Sequence, residues 1–398
     1  MTAAGGAPPS TSASAGQTGS ALPAPPPGGG GTDHSPIVIG SVGNYSGITG
    51  GAEAPGVVGL EAWVSFVNSR GGVNGHPVKL YVRDDQSDPG QNLADTQALV
   101  QQEHIVAEVS AWASQTQQAS ASYLRQQGIP VIGGDGTGAA SWGQLPNFFP
   151  EGDIENTLVQ DGPAAGAKLL FPKGDRNLAI LVCQEGAVCS EGASIDSRYA
   201  PSIGWHVVYN GSASFAAPSY TAQCIQMKSA GAQAVVLIMP SSATVNVANS
   251  CDQQGFDPYW LIGYGVTEGN FNTIPGLRNS IVFNTTFPFT GGPLIPGVAE
   301  YQQAMKQYEP GQISDPASAA GWASAEIFGA AIAKISGPVT SASLTSALQR
   351  FRNQTFGGLT IPLSFDRVPV NPPPCWFVMT ITASQWSAPY GDTPQCAG

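Results

Sequence analysis

The sequence predicts an α/β fold made of two Rossmann-like lobes, each built on a parallel sheet. Two observations favour this fold. Strand-like and helix-like segments alternate along the chain, first before residue 152 and again after it. The chain has 398 residues, which is too many for one compact domain and suits two lobes of ordinary size. Because parallel strands need crossover connections, we expect helices on both faces of each sheet.

The first half of the chain contains apolar strands that are each followed by a segment with helical spacing. Strands are predicted at 36–40, 78–82, 105–109 and 129–132, and helices at 57–67, 89–102 and 114–128. Gly71 and Gly72 stop the first helix, and Gly128 ends the third. The stretch 41–50 is rich in glycine and is therefore predicted to be a turn.

The second half repeats this alternation and then returns to the first lobe. Strands are predicted at 178–182, 206–209, 234–238, 259–262, 280–283 and 376–381, and helices at 154–171, 193–200, 220–230, a segment ending at 254, 298–308, 317–335 and 341–352. We expect the strand at 259–262 to close the second sheet. The segment 359–365 should cross back to the second lobe.

Composition and charge exclude several classes of partner. Lys and Arg total 15 against 27 Asp and Glu, so the net charge is −12, and no basic run occurs. Nucleic acids and anionic membrane surfaces both need clustered cations, so neither is an expected partner. Charged residues make up only 11% of the chain, and this composition favours a protein outside the cytosol.

Six cysteines support an oxidising location. None forms a Cys-x-x-Cys pair or a zinc-like spacing with histidine, and reduced cytosolic thiols are the alternative. Although six cysteines allow many connectivities, we expect the sequential one. The expected disulfides are Cys183 with Cys189, Cys224 with Cys251, and Cys375 with Cys396.

The first 35 residues are Ala, Gly, Pro, Ser and Thr with almost no large apolar side chains. Such a segment cannot bury enough surface to offset its ordering entropy, so residues 1–35 are predicted to be a disordered tether. No signal-peptide core and no spanning segment occurs in the sequence. The chain therefore either lacks an export signal or has had it removed, and the cysteines favour removal.

Catalytic motifs give no coherent enzyme. Residues 134–139 match a dinucleotide-binding glycine pattern, but they follow the fourth strand and no acidic partner ends a later strand at the required spacing. The four histidines form no triad or zinc pair. Asp84 and Asp85 are adjacent on an extended segment, which favours capping of a loop over acid catalysis. We expect no catalysis, no metal and no cofactor.

Ligands of parallel sheets bind where the loops at the carboxyl ends of the strands converge. Ser114 is the leading candidate, because a hydroxyl beside the free N–H groups of Gln115 and Thr116 at a helix start suits a carboxylate. A plain N-cap is the alternative, and the residue type alone favours it. Asp135 could hold an ammonium group or cap its turn. Aromatic walls are expected from Tyr45, Trp112 and Trp142, and further polar contacts from Gln115, Gln184 and Glu185.

Several spaced motifs resemble one family. They are Gly-Gly-Val-Asn-Gly-His-Pro-Val at 71–78, Asp84-Asp85, Asp88-Pro89, Gln115-Thr-Gln-Gln-Ala119 and Gly128-Ile-Pro-Val131. In this order they look like the type I periplasmic binding proteins, and most like the leucine/isoleucine/valine-binding branch that serves ATP-driven (ABC) importers. The resemblance extends more weakly to about residue 386 and leaves out the tail.

The resemblance implies an architecture. It places three hinge crossings near 152, 285 and 362, with lobe 1 at 36–152 plus 286–361 and lobe 2 at 153–285 plus 362–398. It also implies that the tail tethers a lipoprotein to the membrane.

The resemblance also implies site residues. Ser114 aligns with the serine that binds an amino-acid carboxylate, and Asp135, Gly136 and Thr137 fall where the family contacts the same ligand. The family glutamate that binds the ammonium is replaced here by Tyr264 or Gly265, although Glu268 follows in the same loop. This departure favours a small carboxylate-bearing metabolite, of which amino acids are a subset.

We therefore expect an extracytoplasmic, monomeric solute-binding protein that presents its closed form to an ABC permease in the membrane. A ligand-sensing receptor domain of the same fold is the second hypothesis, and a hydrolase or amidase is the third.

Overall fold

A computed structural model describes residues 34–47, 49–136, 141–185, 187–290 and 295–397, and two sheets organise it. The first sheet contains β1 (Ile37–Gly43), β2 (Val78–Asp84), β3 (Ala107–Ala111), β4 (Val131–Gly134) and β5 (Phe148–Phe149). The second contains β6 (Asn177–Cys183), β7 (His206–Ala213), β8 (Ala234–Ile238), β9 (Tyr259–Gly263), β10 (Ser280–Asn284), β11 (Cys375–Thr382), β12 (Gln385–Ser387) and β13 (Gln395–Cys396).

Ten helices surround these sheets within the described residues. They are α1 (Gly50–Ser69), α2 (Pro89–Gln101), α3 (Gln117–Gln127), α4 (Glu155–Leu170), α5 (Ala187–Ser202), α6 (Thr221–Ser229), α7 (Ser241–Gln253), α8 (Pro296–Tyr308), α9 (Pro316–Ile332) and α10 (Ser341–Leu348). Helices α1, α2 and α9 pack on the first sheet, and α3, α8 and α10 pack against those helices. Helices α4, α5 and α6 pack on the second sheet, and α7 packs against α6. We call these two layered units lobe 1 and lobe 2.

The strand order confirms the predicted α/β fold with two lobes. The first sheet runs β2-β1-β3-β4-β5, and all its pairings are parallel. The second runs β12-β11-β10-β9-β8-β6-β7 and is parallel from β7 to β10, with antiparallel β11 and β12 at one side. The prediction that the strand at 259–262 closes this sheet is wrong, because β10 pairs with β9 and extends the sheet.

Three segments cross between the lobes, and they pack on one another. A Cβ on Gly152 would lie 2.3 Å from Cβ of Thr285, so the first and second crossings touch at that glycine. Thr286 forms an antiparallel bridge with Thr360, which joins the second crossing to the third. The two lobes are thus joined by three crossings that contact one another.

Helix α1 begins earlier than predicted and approaches α9 very closely. The sequence placed its start near residue 57, whereas the structure starts it at Gly50. A Cβ on Gly59 would lie 2.0 Å from the Ser318 carbonyl oxygen, and a Cβ on Gly321 would lie 1.9 Å from the Gly56 carbonyl oxygen. Glycines inside the two helices therefore allow α1 and α9 to pack closely, whereas the predicted turn at 41–50 overlaps the helix only at Gly50.

Disulfides connect the expected cysteines. Cys183 is bonded to Cys189, Cys224 to Cys251, and Cys375 to Cys396, with Cα–Cα distances of 5.3, 4.9 and 4.0 Å. All three lie on lobe 2, and the bond between Cys224 and Cys251 joins α6 to α7. Among the described residues, none of the helices has both the length and the apolar character that a membrane span requires.

Candidate functional site

The two lobes meet where the carboxyl ends of β1, β3 and β4 face the end of β9. The backbone N–H of Gly136, after β4, donates to the hydroxyl of Tyr264, after β9, at 3.1 Å. Trp112, after β3, packs edge-on against the Tyr264 ring with centroids 5.9 Å apart. We call the group formed by Glu53, Ser114, Asp135, Gly136 and Tyr264 the gap site.

Tyr264 is the contribution of lobe 2 to the gap site. It opens a 3₁₀ turn, Tyr264–Val266, and its side chain is only 1% exposed. Burial raises the pKa of its phenol well above the usual value, and the charges of Asp135 and Glu151 act in the same direction. The hydroxyl therefore stays protonated and can donate one hydrogen bond while it accepts the one from Gly136.

Glu53 is the charged group of the gap site with the most unusual surroundings. It lies in the first turn of α1 and is 1% exposed. One carboxyl oxygen accepts a short hydrogen bond from the Ser114 hydroxyl. The other oxygen, Oε2, is buried and has no hydrogen-bond partner among the described residues. Burial raises the pKa of Glu53 well above its usual value, and the nearby charge of Asp135 raises it further.

Asp135 and Glu151 add two more buried carboxyls beside the hinge. Asp135 is 3% exposed, and its Oδ2 lies 3.3 Å from the place a Cβ on Gly265 would occupy, so it faces lobe 2. Glu151 Oε2 accepts the N–H of Gly134 at 3.0 Å. Burial raises the pKa of Glu151 to about 8, and the charge of Asp135 adds to the effect. Three buried carboxyls, those of Glu53, Asp135 and Glu151, therefore lie at or beside the gap.

The predicted carboxylate subsite at Ser114 is arranged differently from the prediction. Helix α3 begins at Gln117 with Thr116 as its N-cap, so Ser114 does not cap it. The N–H of Gln115 donates to Asn44 Oδ1 at 3.1 Å, and the N–H of Thr116 donates to the Ala113 carbonyl at 3.0 Å. These N–H groups are not free for a ligand, because side-chain and backbone oxygens already use them.

A buried polar network explains why that turn is occupied. Asp85 is fully buried, and its Oδ1 accepts from Asn44 Nδ2 at 2.7 Å. Its Oδ2 accepts from Asn92 Nδ2 at 2.9 Å and from the Thr116 hydroxyl at 2.6 Å. Asp84 Oδ1 accepts two loop N–H groups, those of Ser46 and Gln86. Both aspartates therefore hold loops, as the sequence suggested.

The three predicted aromatic walls have separate positions. Trp112 is fully buried, and its indole N–H donates to the Ser110 hydroxyl at 2.8 Å. A Cβ on Gly56 would lie 2.0 Å from Nε1 of Trp112, so the indole packs directly on α1. Trp142 is 2% exposed and packs on Phe148 in the lobe 1 core. Tyr45 bonds to the Ser41 hydroxyl at 2.7 Å. Trp112 contacts the gap site through Tyr264, and the charge of Glu53 is among the causes that raise the pKa of Tyr45, after burial.

Gln184 and Glu185 lie at the β7 edge of lobe 2. Glu185 is exposed and accepts the N–H of Phe215 at 3.2 Å, while Gln184 Nε2 donates to Ser212 at 3.4 Å. The hydrogen bonds described for these two side chains therefore join β6 to β7, the edge strand of the sheet. Hydrogen bonding, mainly to Ser214, lowers the pKa of Glu185. The structure does not bring them to the gap site, so their contact with a ligand stays a prediction.

Two further candidates remain. A Cβ on Gly51 would lie 2.8 Å from Glu268 Oε1, so Glu268 reaches across from lobe 2 to the start of α1. Thr137 lies outside the described residues. Within the described residues, no group of three or more His, Cys, Asp or Glu side chains is arranged to hold a metal ion.

Cations are kept away from this acidic region. All 15 Lys and Arg residues fall within the described part of the chain, and each is exposed or partly exposed. The four arginines that form ion pairs within the described residues have side chains that are at least 38% exposed, and their partners lie outside the gap site. The carboxyls of the gap site therefore have no buried Lys or Arg as a counter-charge.

Sequence reasoning missed Glu53 and Glu151. Nothing distinguishes a buried glutamate from a surface one in a single sequence, and the predicted start of α1 placed Glu53 in a loop. One signal was present: Glu53 is the only charged residue between Asp33 and Glu61. An isolated acid in an apolar, glycine-rich stretch beside a strand end could have been selected.

Comparisons with known proteins agree with this fold. A family model described as "Periplasmic binding protein" matches residues 36–385. A search of curated proteins finds no match.

Solved structures share the fold at low sequence identity. A fatty acid ABC transporter substrate-binding protein from Thermomonospora curvata is 15% identical, with a TM-score of 0.76, and the match covers 92% of this chain and 94% of that one. A branched-chain amino acid transporter substrate-binding protein from Streptococcus pneumoniae, in complex with isoleucine, is 16% identical, with a TM-score of 0.73. That match covers 91% of this chain and 99% of the other. A solute-binding protein from R. palustris, in complex with 4-hydroxybenzoate, is 17% identical, with a TM-score of 0.69. That match covers 86% of this chain and 92% of the other. The named ligands differ, so fold similarity leaves the ligand open.

Proposed function

The chain belongs to the periplasmic binding protein family, and we propose that it is the solute-binding protein of an ABC importer that holds one small solute between its lobes. The family implies an extracytoplasmic location, and three disulfides on lobe 2 support it. A permease in the membrane is the proposed partner, and we further propose that the protein is a lipid-anchored monomer.

The observation that carries this proposal is the gap site itself. Polar groups from both lobes converge there, and the hydrogen bond from Gly136 to Tyr264 joins the two lobes at 3.1 Å. A ligand that contacts both lobes shifts the population towards the closed form, because closure adds contacts that the open form lacks. The three packed crossings let the lobes move as rigid bodies.

The carboxylate-bearing class expected from the sequence narrows when the gap site is considered. An amine-free acid would lie close to Glu53 and Asp135, which are only 1% and 3% exposed to solvent. An amino acid brings an ammonium group that can pair with either carboxylate once that carboxylate is ionised. Within the expected class, amino acids are therefore the better candidates, and the solutes named for the related structures include isoleucine.

A thermal-shift screen tests the function. The protein is unfolded and refolded to remove retained solute, then heated with amino acids, amines, aliphatic acids and aromatic acids. A solute that binds only the native state adds about 2.7 kcal/mol to the free energy of unfolding when it is present at about 100 times its Kd. We expect at least one solute to raise the melting temperature.

Two variants locate the binding. Tyr264→Ala should abolish the shift, whereas Tyr259→Ala, at the opposite end of β9, should keep it. A library in which no solute raises the melting temperature would contradict the proposal. Conversion of a bound ester or amide into product would show that the protein is an enzyme and would also contradict the proposal.

A further inference from the structure

We propose that residues 264–269 of lobe 2 form a latch whose contact with lobe 1 takes up protons, so that a fall in pH closes the two lobes. The inference rests on the proposed function, because it concerns the same movement of the lobes. It adds a regulation of that movement by protons that needs no solute.

The latch follows β9 and is fixed to lobe 2 at both ends. The hydroxyl of Thr267 donates to the Gly263 carbonyl at 2.8 Å. The indole N–H of Trp386, on β12, donates to the Gly269 carbonyl at 2.8 Å. We therefore expect the latch to keep its shape and to move with lobe 2.

Glycines on both sides of the contact let the latch approach lobe 1 closely. A Cβ on Gly269 would lie 2.4 Å from the Ser314 carbonyl oxygen and 2.7 Å from the Ile313 side chain. A Cβ on Gly51, at the start of α1, would lie 2.8 Å from Glu268 Oε1. The 3₁₀ turn within the latch also contacts α1 and α9. The latch therefore lies between the start of α1 and the turn that precedes α9.

The titratable side chains around this contact are carboxylic acids and tyrosines. Those that face one another there are Glu53, Asp135, Glu151, Asp315, Tyr45 and Tyr301 of lobe 1 and Tyr264 and Glu268 of the latch. None of the ion pairs within the described residues includes one of these carboxyls. Ionised carboxyls would therefore repel one another across the contact, and protons relieve this repulsion.

Asp315 shows how closure favours the protonated form. It is 2% exposed, and its carboxyl accepts the N–H of Ser318 at the start of α9. Gly269 packs against it, since a Cβ on that glycine would lie 3.3 Å from Cβ of Asp315. Burial raises the pKa of Asp315 to about 7, and the charge of Glu268 on the latch is among the further causes. When the latch leaves, this cover and this charge leave with it, so the pKa should fall.

Glu53 responds in the same direction. Gly265 of the latch covers Asp135, because a Cβ on that glycine would lie 3.3 Å from Asp135 Oδ2. Burial raises the pKa of Glu53 well above its usual value, and the charge of Asp135 raises it further. Charges repel more strongly in a dry gap than in water, so closure strengthens the effect of Asp135 on Glu53.

The direction of the pH dependence follows from proton binding. A carboxyl with a higher pKa in the closed form favours closure fully below its open-form pKa and loses this effect as pH rises through its closed-form pKa. For Asp315 the widest such window runs from 3.8 to about 7. A pKa that rises by one unit on closure changes the ratio of closed to open protein by at most about tenfold.

Small-angle X-ray scattering of the refolded, solute-free full chain at about pH 6 and about pH 8.5 tests the latch. The radius of gyration should be smaller at the lower pH. The ratio of closed to open protein should fall about fivefold or more between the two values. Circular dichroism at both pH values shows that the protein stays folded. Because the free protein is more open at the higher pH, a solute should reduce the radius most there.

One variant removes the charge of the latch. Glu268→Gln keeps the shape of the side chain and takes a negative neighbour away from Asp315, so the closed form should persist to higher pH. The change in radius between the two pH values should be smaller than in the wild type by about twofold or more. Glu191→Gln carries the same substitution at an exposed position on α5 and should match the wild type.

A second variant tests the contact without changing any charge. Gly269→Ala places a Cβ 2.4 Å from the Ser314 carbonyl oxygen of lobe 1, so the radius should stay at the larger value at both pH values. Gly337→Ala, which has open space around its new Cβ, should close as the wild type does. The melting temperature of each variant shows that it folds.

The outcomes separate the two proposals. Equal radii at the two pH values, an unchanged pH dependence in Glu268→Gln, or closure of Gly269→Ala would overturn the latch. A solute that raises the melting temperature would still keep the solute-binding function. Failure of every solute would overturn that function, whereas a radius that depends on pH and on Glu268 would still support the latch.

Discussion

Glu108 should make the folded protein lose stability as the pH rises. It lies in the middle of the first sheet, where it pairs with Gly40 of β1 and Val131 of β4. Its side chain is fully buried, and neither carboxyl oxygen has a hydrogen-bond partner among the described residues. Burial raises its pKa from 4.5 to about 8, and the charge of Asp85 adds to the effect.

The direction follows from proton binding. The unfolded chain releases this proton near pH 4.5, but the folded chain keeps it until about pH 8. Between these values the folded state binds more protons, so the free energy of unfolding falls as pH rises through this window. At ~1.4 kcal/mol for each unit of pKa, the loss is at most ~5 kcal/mol, and water penetration reduces it.

The variant Glu108→Gln removes this proton while keeping the shape of the side chain. Near pH 4 it should match the wild type within ~1 kcal/mol, and near pH 9 it should be more stable by ~2–5 kcal/mol. Urea unfolding followed by tryptophan fluorescence at both pH values measures the difference. Glu191→Gln, at an exposed position on α5, is the control. A difference that is the same at both pH values, or a less stable variant near pH 9, would refute the reasoning.

Three further changes test the packing. Asp85→Ala removes the carboxylate that accepts from three buried side-chain donors and should lower the free energy of unfolding by ~3 kcal/mol or more, measured in urea. Gly134 has φ +139°, and a new Cβ there would lie 2.1 Å from a β3 carbonyl oxygen, so Gly134→Ala should lower the free energy of unfolding by ~3 kcal/mol. Gly174 has φ +90° but open space around it, so Gly174→Ala should lower the free energy of unfolding by ~1 kcal/mol; thermal melting measures both. Replacing Cys375 and Cys396 by Ala opens a loop of sequence separation 21 and should cost ~3 kcal/mol; an unchanged urea midpoint would show that this disulfide adds nothing.

The sequence predicted the order of the main elements well, because alternating apolar strands and amphipathic helices leave a strong periodic signal. It placed α2 from Pro89 to Gln102, and the structure ends the helix one residue earlier. It was less successful at the edges of the first lobe's helices. The start of α1 was missed because its glycines also fit a turn, and the tertiary contact with α9 decides between the two.

The candidate site was harder to predict for a related reason. Ser114 was placed near the correct strand end, but its hydrogen bond to Glu53 depends on two elements that are 61 residues apart. A single sequence carries the residue types of such a contact and not the distance between them. Which group of a solute the site recognises therefore depends on the burial of these side chains, which only the fold reveals.

Closure of the two lobes around a solute is the central claim, and small-angle X-ray scattering tests it most directly. The refolded, solute-free protein is compared with the same protein saturated with the amine or amino acid that raises the melting temperature most. We predict a smaller radius of gyration with the solute, and no change for Tyr264→Ala. Equal radii for the wild type with and without that solute would contradict the claim.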